Sequence, residues 1–368
     1  MLPPMLQRFR KRLVENIDGP LLAVTLAIMA FGLATIYSAT VYASDRTVAQ
    51  LMNLGVGLLA MWLIAQTPPQ KLMRFAVPLY VVGVTLLLLV FPFGVKVNGA
   101  RRWLSLGLIR IQPAEILKIA MPLMLAWYFH KNEAVLRIRH YAVAGLLLIV
   151  PFALIAKQPD LGTAILVGAA GFYVIFFAGL PWKIIIGMIA AGVATTPLVW
   201  SLLRDYQRRR ILTLIDPTTD PLGAGYHIIQ STIAIGSGGP FGMGWLQGTQ
   251  THLEFIPERH TDFIFAVFSE ERGLVGNGIL LILYLSLIAR GLMIAASAST
   301  LFARVLAGSI TLSFFTYVFV NMGMVSGILP VVGVPLPFMS YGGTALVTLF
   351  IGVGILMSIQ SHRMLLKK

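Results

Sequence analysis

Residues 20–39 read Pro-Leu-Leu-Ala-Val-Thr-Leu-Ala-Ile-Met-Ala-Phe-Gly-Leu-Ala-Thr-Ile-Tyr-Ser-Ala, a stretch without one acidic or basic side chain. About 20 such residues, wound as a helix, cross the roughly 30 Å of hydrocarbon in a bilayer. The stretch follows Arg8, Arg10, Lys11 and Arg12, is longer than a signal-peptide core, and no small-residue cleavage site comes after it. It is therefore expected to be an uncleaved first span. The same pattern recurs along the chain at 48–66, 75–94, 114–130, 141–157, 161–179, 182–202, 263–290, 303–327 and 341–360. The expected fold is an all-α polytopic membrane protein of about ten transmembrane helices. Residues 1–19 and 361–368 are its tails, 20–360 a single transmembrane domain, and 203–262 a large loop between the seventh and eighth helices.

Composition supports lipid as the solvent. Of 368 residues, 57% are hydrophobic and 11% charged, with mean hydropathy +0.84. A water-soluble domain carries roughly 25% charged residues. There are no cysteines, which excludes disulfides and thiolate metal sites. The six histidines, at 130, 140, 227, 252, 260 and 362, form no ligand-spaced pair, so metal-centred catalysis is disfavoured. The net charge of +14 fits anionic headgroups. No basic stretch is interleaved with aromatics on a polar face, so nucleic acid is not an expected partner.

Charge also predicts orientation. With the N-terminus inside, Lys71, Arg74, Lys131, Arg137, Arg139, Lys183, Arg290, Arg304, Arg363, Lys367 and Lys368 all fall on the cytoplasmic side. Both termini are then cytoplasmic. The other cations gather in segments 95–113 and 203–262, which face outward and suit an anionic substrate. The eighth run, 28 residues or about 40 Å long, is too long for a bilayer. Its first third, with Glu270, Glu271 and Arg272, is expected to stand above the lipid or to line a wet cavity.

Charge within a span is costly and marks function by default. Glu115 and Lys118, three apart on the fourth span, can pair, either as a structural link or to present a cation to phosphate. Arg101 and Arg102, in Asn98-Gly99-Ala100-Arg101-Arg102-Trp103, anchor to headgroups or add two cations to the same site. Gln112-Pro113-Ala114-Glu115 and Gln158-Pro159-Asp160 each set a carboxylate at the outer start of a span. Proline there initiates helices, but the repetition also places Glu115 and Asp160 at one outer cavity.

The large loop holds a turn cluster at 216–226 and an interfacial helix predicted over 226–235. It then turns through Gly236-Ser237-Gly238-Gly239-Pro240, which is either plain turn chemistry or a cradle of backbone N–H groups for phosphate. Asp262 ends the polar segment Glu258-Arg259-His260-Thr261 and opens the eighth run. It is a helix cap or a base whose strength the neighbouring charges set. Segment 327–343, with Pro330, Pro335 and Pro337, cannot be one helix. It is an interhelical loop or a cavity-lining segment in which Ser340 offers a hydrogen bond.

Taken together these segments resemble the SEDS family (shape, elongation, division, sporulation) of peptidoglycan glycosyltransferases. Its carriers are Gly99–Trp103, Gln112–Lys118, Gln158–Thr163, Asp220–His227, Pro257–Phe265 and Gly327–Gly343. The wording at 216–227 and 257–265 is that of the rod-shape-determining branch. Two positions depart from the common pattern: Ala114 where serine is frequent, and Arg272 where leucine is. The resemblance implies a GT-C-like membrane fold and polymerisation of lipid II into glycan strands at the periplasmic face of the bacterial inner membrane. It also implies a class B penicillin-binding transpeptidase and other elongation-complex membrane proteins as partners. The family's essential loop aspartate falls on Asp262, its polar pair on Glu115 and Lys118, and a further acidic position on Asp160.

The chemistry agrees with that assignment. Diphosphate leaves readily once neutralised, so one general base on the acceptor hydroxyl is sufficient. Direct attack inverts the anomeric carbon and needs one carboxylate, not the pair of a glycosidase. Asp262 is the expected base, with Lys118, Arg101, Arg102 and Arg210 holding the leaving group, helped or not by a divalent ion such as Mg or Mn. Two other classes compete. A lipid II flippase should carry polar residues through the midplane, whereas here they gather at one rim. A mere scaffold for the transpeptidase would leave the Glu115–Lys118 pair without purpose.

Overall fold

The computed structural model describes residues 16–40, 44–97, 100–105, 107, 110–203, 205–219, 223–253, 255–256 and 258–363. The basic tail Arg8–Arg12, Asn98-Gly99, Asp220–Leu222, Pro257 and the final Lys367 and Lys368 lie outside the described residues. Ten long helices coincide with the ten expected runs. They are α1 (Gly19–Ala39), α2 (Ser44–Ala65), α3 (Pro69–Phe93), α4 (Pro113–Lys131), α5 (Ile138–Lys157), α6 (Leu161–Phe177), α7 (Trp182–Leu202), α11 (Ile264–Ala296), α12 (Leu301–Val325) and α13 (Thr344–His362). Between α7 and α11 lie α8 (Asp205–Ile215), a 3-10 turn at Pro217–Thr219, α9 (Ala224–Ser237) and α10 (Thr249–His252). The helix expected over 226–235 is α9.

Seven helices (α1, α2, α3, α5, α11, α12 and α13) are long and apolar enough to cross a membrane, and α6 and α7 add shorter apolar stretches. The chain is a polytopic helical membrane protein. Hydrophobicity sorts little between lipid and protein interior, so packing decides which helices are central. In α12 and α13, 67% and 61% of the apolar window is buried, against 22–39% in the other five. These two and α4, most of whose residues are buried, form the centre of the bundle. α13 packs on α2, α12 on α11 and α6, α11 on α1, and α4 on α3 and α6. α7 is exposed along almost all of its described length, as a lipid-facing helix would be.

Polar links register the bundle's ends. At one end Arg290 of α11 pairs with Asp18, which caps α1 through Leu21 N–H, and Ser358 of α13 donates to the Thr67 carbonyl. At the opposite end lie the turn before α11 and the proline-rich loop before α13.

Three features depart from the sequence-based expectation. Segment 95–111 forms a small antiparallel sheet of β1 (Val95–Val97), β2 (Ala100–Ser105) and β3 (Arg110–Ile111). Its strands are too short, and too rich in cations, for alternation to stand out. Of the two readings of the glycine-rich turn, plain turn chemistry is the one seen, and the new feature is its link to α11. The N–H groups of Gly239, Gly242, Met243 and Gly244 donate to Gly236, Gly238, Glu270 and Glu271 carbonyls. α11 is broken at Gly273, where φ is 62°, and Leu274 and Val275 donate instead to the Gly239 and Pro240 carbonyls. The loop thus repairs the break, as non-helical backbone in a membrane protein requires. Third, Glu270 and Glu271 are buried rather than lining a wet cavity. Glu270 accepts from Gln250 and Thr251 backbone N–H and from the Thr251 hydroxyl at 2.8–3.3 Å. Glu271 accepts from Ser38 and Leu246. These carboxylates staple α10 and the glycine-rich loop to α11.

Candidate active site

Asp262 lies in the turn just before α11, and packing from three elements sets its place. Thr261 and Phe263 N–H both return to the Glu258 carbonyl, with Glu258 at a left-handed φ of 46°. His227 of α9 stacks on Phe263 at 5.5 Å. The Ser340 hydroxyl donates to the Thr261 carbonyl and accepts from Leu336 N–H, each at 2.7 Å. Tyr341 N–H donates to the His260 carbonyl at 2.8 Å. Both of these hydroxyl hydrogen bonds are internal, so Ser340 pins the turn that carries Asp262 to the proline-rich loop.

No hydrogen bond or ion pair reaches the Asp262 carboxylate among the described residues. Burial, and then the negative charge of Glu258, push its pKa up to about 6. At neutral pH it is largely ionised, yet a stronger base than an ordinary aspartate. Beside it Gly333, at φ 72°, leaves so little room that a Cβ would sit 3.2 Å from Asp262 Oδ2. His260 is held below its usual pKa by burial and by Arg46, whose guanidinium lies 3.3 Å from the ring. It is therefore neutral at physiological pH.

The second half of the site is built on α4 and α6. Lys118 Nζ meets Glu115 Oε1 at 2.7 Å, both buried, and lies 5.2 Å from the centre of the Tyr317 ring of α12. Glu115 Oε2 is buried with no hydrogen-bond partner among the described residues. Asp160 caps α6 through Thr163 N–H, accepts from Gln112 at 3.0 Å and faces Arg102 at 3.7 Å. Arg102 also donates to the Pro159 carbonyl. The paired Gln-Pro-carboxylate motifs thus meet in space, Gln112 of one holding Asp160 of the other.

The two halves adjoin. A Cβ on Gly162 would collide with the Val332 carbonyl and touch Val334, so the start of α6 packs on the segment flanking Gly333, the glycine that faces Asp262 Oδ2. Arg101 is exposed on β2, opposite Lys96 in register, and Arg110 is exposed on β3. Like charges facing across strands repel, so this rim favours an anion. Arg210 lies on α8, which packs against α9. Between α2, α3, α4 and α13 runs a cavity of about 740 Å³. Leucines, isoleucines and Phe75 line it, and Asn53, Gln112 and Glu115 stand at its polar wall.

A cell cycle protein family model, FtsW/RodA/SpoVE, matches residues 20–365. The chain belongs to this family. Relatives within FtsW/RodA/SpoVE include the peptidoglycan glycosyltransferase MrdB of Escherichia coli K12, 51% identical over 354 residues and 96% of both chains. Another is the peptidoglycan glycosyltransferase RodA of Treponema pallidum, 31% identical over 96% of this chain and 100% of its own. Among solved structures, a chain described under "structural coordination of polymerization and crosslinking by a peptidoglycan synthase complex" superposes with TM-score 0.82. It is 36% identical and is covered to 98%, against 94% of this chain. Thermus thermophilus RodA superposes at 0.71 with 31% identity, over 94% of this chain and 97% of its own.

Three residues escaped the sequence. Asn321, the only Asn, Gln or charged residue after Arg304 in the run 303–327, carried a usable signal. Tyr317 and Gly333 looked like any apolar-helix aromatic and any loop glycine. Among the described residues no three His, Asp or Glu side chains converge as metal ligands, so these side chains alone do not fit a bound divalent ion.

Proposed function

We propose that this peptidoglycan glycosyltransferase joins lipid II disaccharides into the glycan strands of cell elongation, with Asp262 as general base. The carrying observation is a buried Asp262 carboxylate that no cation neutralises, in a fold whose Gln112 and Glu115 line a lipid-sized apolar cavity. A cavity of this volume takes an organic chain, and an isoprenoid tail suits its leucine and isoleucine walls. The diphosphate then meets Gln112, Lys118, which Glu115 positions, and the rim of Arg101 and Arg102. Asp262 takes the proton of the acceptor GlcNAc 4-hydroxyl as that oxygen bonds to the donor's anomeric carbon. The anomeric carbon–oxygen bond to phosphorus breaks, and undecaprenyl diphosphate leaves with inverted configuration at the sugar. Lys118 and the arginines stabilise the departing charge. Asp160 holds Arg102 in place, and Arg210 approaches the substrate from the α8 side.

The rest of the arrangement follows. Ten helices span the inner membrane, both termini are cytoplasmic, and the 203–262 loop and Asp262 face the periplasm. The working partner is a class B penicillin-binding transpeptidase within the elongation complex. The test is polymerisation of purified lipid II in detergent by the chain with that transpeptidase, wild type beside Asp262→Asn. Strands from wild type alone are expected. Equal strands from both overturn the base. No strands from either, with headgroup movement across liposomes, point to a flippase.

A further inference from the structure

Asn321 is fully buried near the C-terminal end of α12, an otherwise apolar helix. Both hydrogens of its amide are used. Nδ2 donates to the Asp262 carbonyl at 2.8 Å and to the Val334 carbonyl at 2.7 Å. Because both partners are acceptors, the amide's orientation is fixed by the network rather than chosen. The two carbonyls belong to the turn that carries Asp262 and to the loop segment whose Gly333 faces the Asp262 carboxylate. One turn earlier on the same helix, Tyr317 lies against Lys118. A single rigid helix therefore touches the base from one position and the leaving-group cation from another.

We propose that Asn321 is a positioning residue for glycosyl transfer, holding Asp262 against the 332–334 segment at a fixed separation from Lys118. The role rests on Asp262 being the base. Bridging both carbonyls sets where the Asp262 main chain lies relative to Gly333, and so how deep its side chain sits. Displacement of a catalytic group by about 1 Å costs roughly 10²-fold in rate. Freed from Asn321, the turn relaxes outward, the carboxylate regains solvent, and the burial that lifts its pKa to about 6 is relieved.

The experiment uses full-length chain with its transpeptidase and lipid II, and measures kcat, KM and the pH profile per folded molecule. For Asn321→Ala, kcat falls by roughly 10²-fold with KM little changed, and the acid limb moves below the wild-type midpoint. Ser231→Ala is the architectural comparison. It removes another buried hydroxyl bond to the end of α12, Ser231 to the Val325 carbonyl at 2.8 Å. It lowers thermal stability but leaves kcat and the acid limb in place. If Asn321→Ala does not fold, Asn321→Gln keeps both donors on a longer stem and is expected to show a smaller fall in kcat with the same downward movement. A folded Asn321 variant with wild-type kcat and midpoint overturns the role, as does one that loses rate no more than Ser231→Ala with an unmoved limb. Asp262→Asn is run beside them. An inactive Asp262→Asn with an unaffected Asn321→Ala removes only the positioning role, whereas an active Asp262→Asn removes the base itself.

Discussion

Asp262→Asn should stabilise this protein while abolishing its activity. The carboxylate is raised from 3.8 to about 6 by burial and by Glu258, with no cation to offset them. A tenfold change in proton affinity corresponds to about 1.4 kcal/mol, so ionising Asp262 in the fold costs on the order of 3 kcal/mol. The sign follows from proton binding. Between pH 4 and 6 the native state holds this proton more tightly than the unfolded chain, so stability falls as pH rises through that window. The cost is absent below pH 4 and complete above about 6. Asparagine fills the same space without a charge, so its advantage is full at pH 7.5 and vanishes toward pH 4. In a chain of this size that is a rise of a few degrees in Tm at most. The assay is thermal unfolding of both forms in one detergent at pH 4.5, 6 and 7.5. A Tm for Asp262→Asn at or below wild type at pH 7.5 refutes the claim that burial strains this carboxylate.

Two further outcomes are expected. Lys118→Met leaves Glu115 as a lone buried charge and should cost about 3–5 kcal/mol. Adding Glu115→Gln should recover most of that stability in thermal melts but no glycan strands, which separates the pair's support of the fold from its role at the diphosphate. Gly333→Ala forces alanine into a left-handed conformation at a cost of roughly 1–2 kcal/mol and sets a methyl against Asp262 Oδ2. Polymerisation should fall well beyond the loss in stability, and equal activity per folded molecule would show that Gly333 serves the turn alone.

The sequence revealed the architecture because lipid imposes a simple rule: about 20 apolar residues per crossing. All ten runs became helices, and Asp262, Glu115, Lys118 and Asp160 came to one end of the bundle. What stayed hidden depended on tertiary hydrogen bonds. Ser340 looked like a donor to substrate until its hydroxyl was found between the Thr261 carbonyl and Leu336 N–H. Glu270 and Glu271 were expected above the lipid or on a wet cavity, because nothing in their neighbourhood announces that α10 and a glycine turn will fold back on them. Lys96 and Arg101 gave no hint of facing each other, since strand pairing over so few residues has no periodicity to read.

The break at Gly273 alters how the base responds to motion elsewhere. In an unbroken α11, the ten residues from Ile264 to Gly273 would form a stiff lever about 15 Å long. A tilt of about 10° in the lipid-embedded part would swing its tip by roughly 2–3 Å, more than a catalytic group tolerates. With the rod interrupted and the upper piece tied to 238–251, that swing is absorbed at the joint. Bilayer thickness, and any helix that leans on the lower part of α11, are thereby mechanically insulated from the bond-forming geometry. This enzyme is built to keep its aim while its surroundings flex.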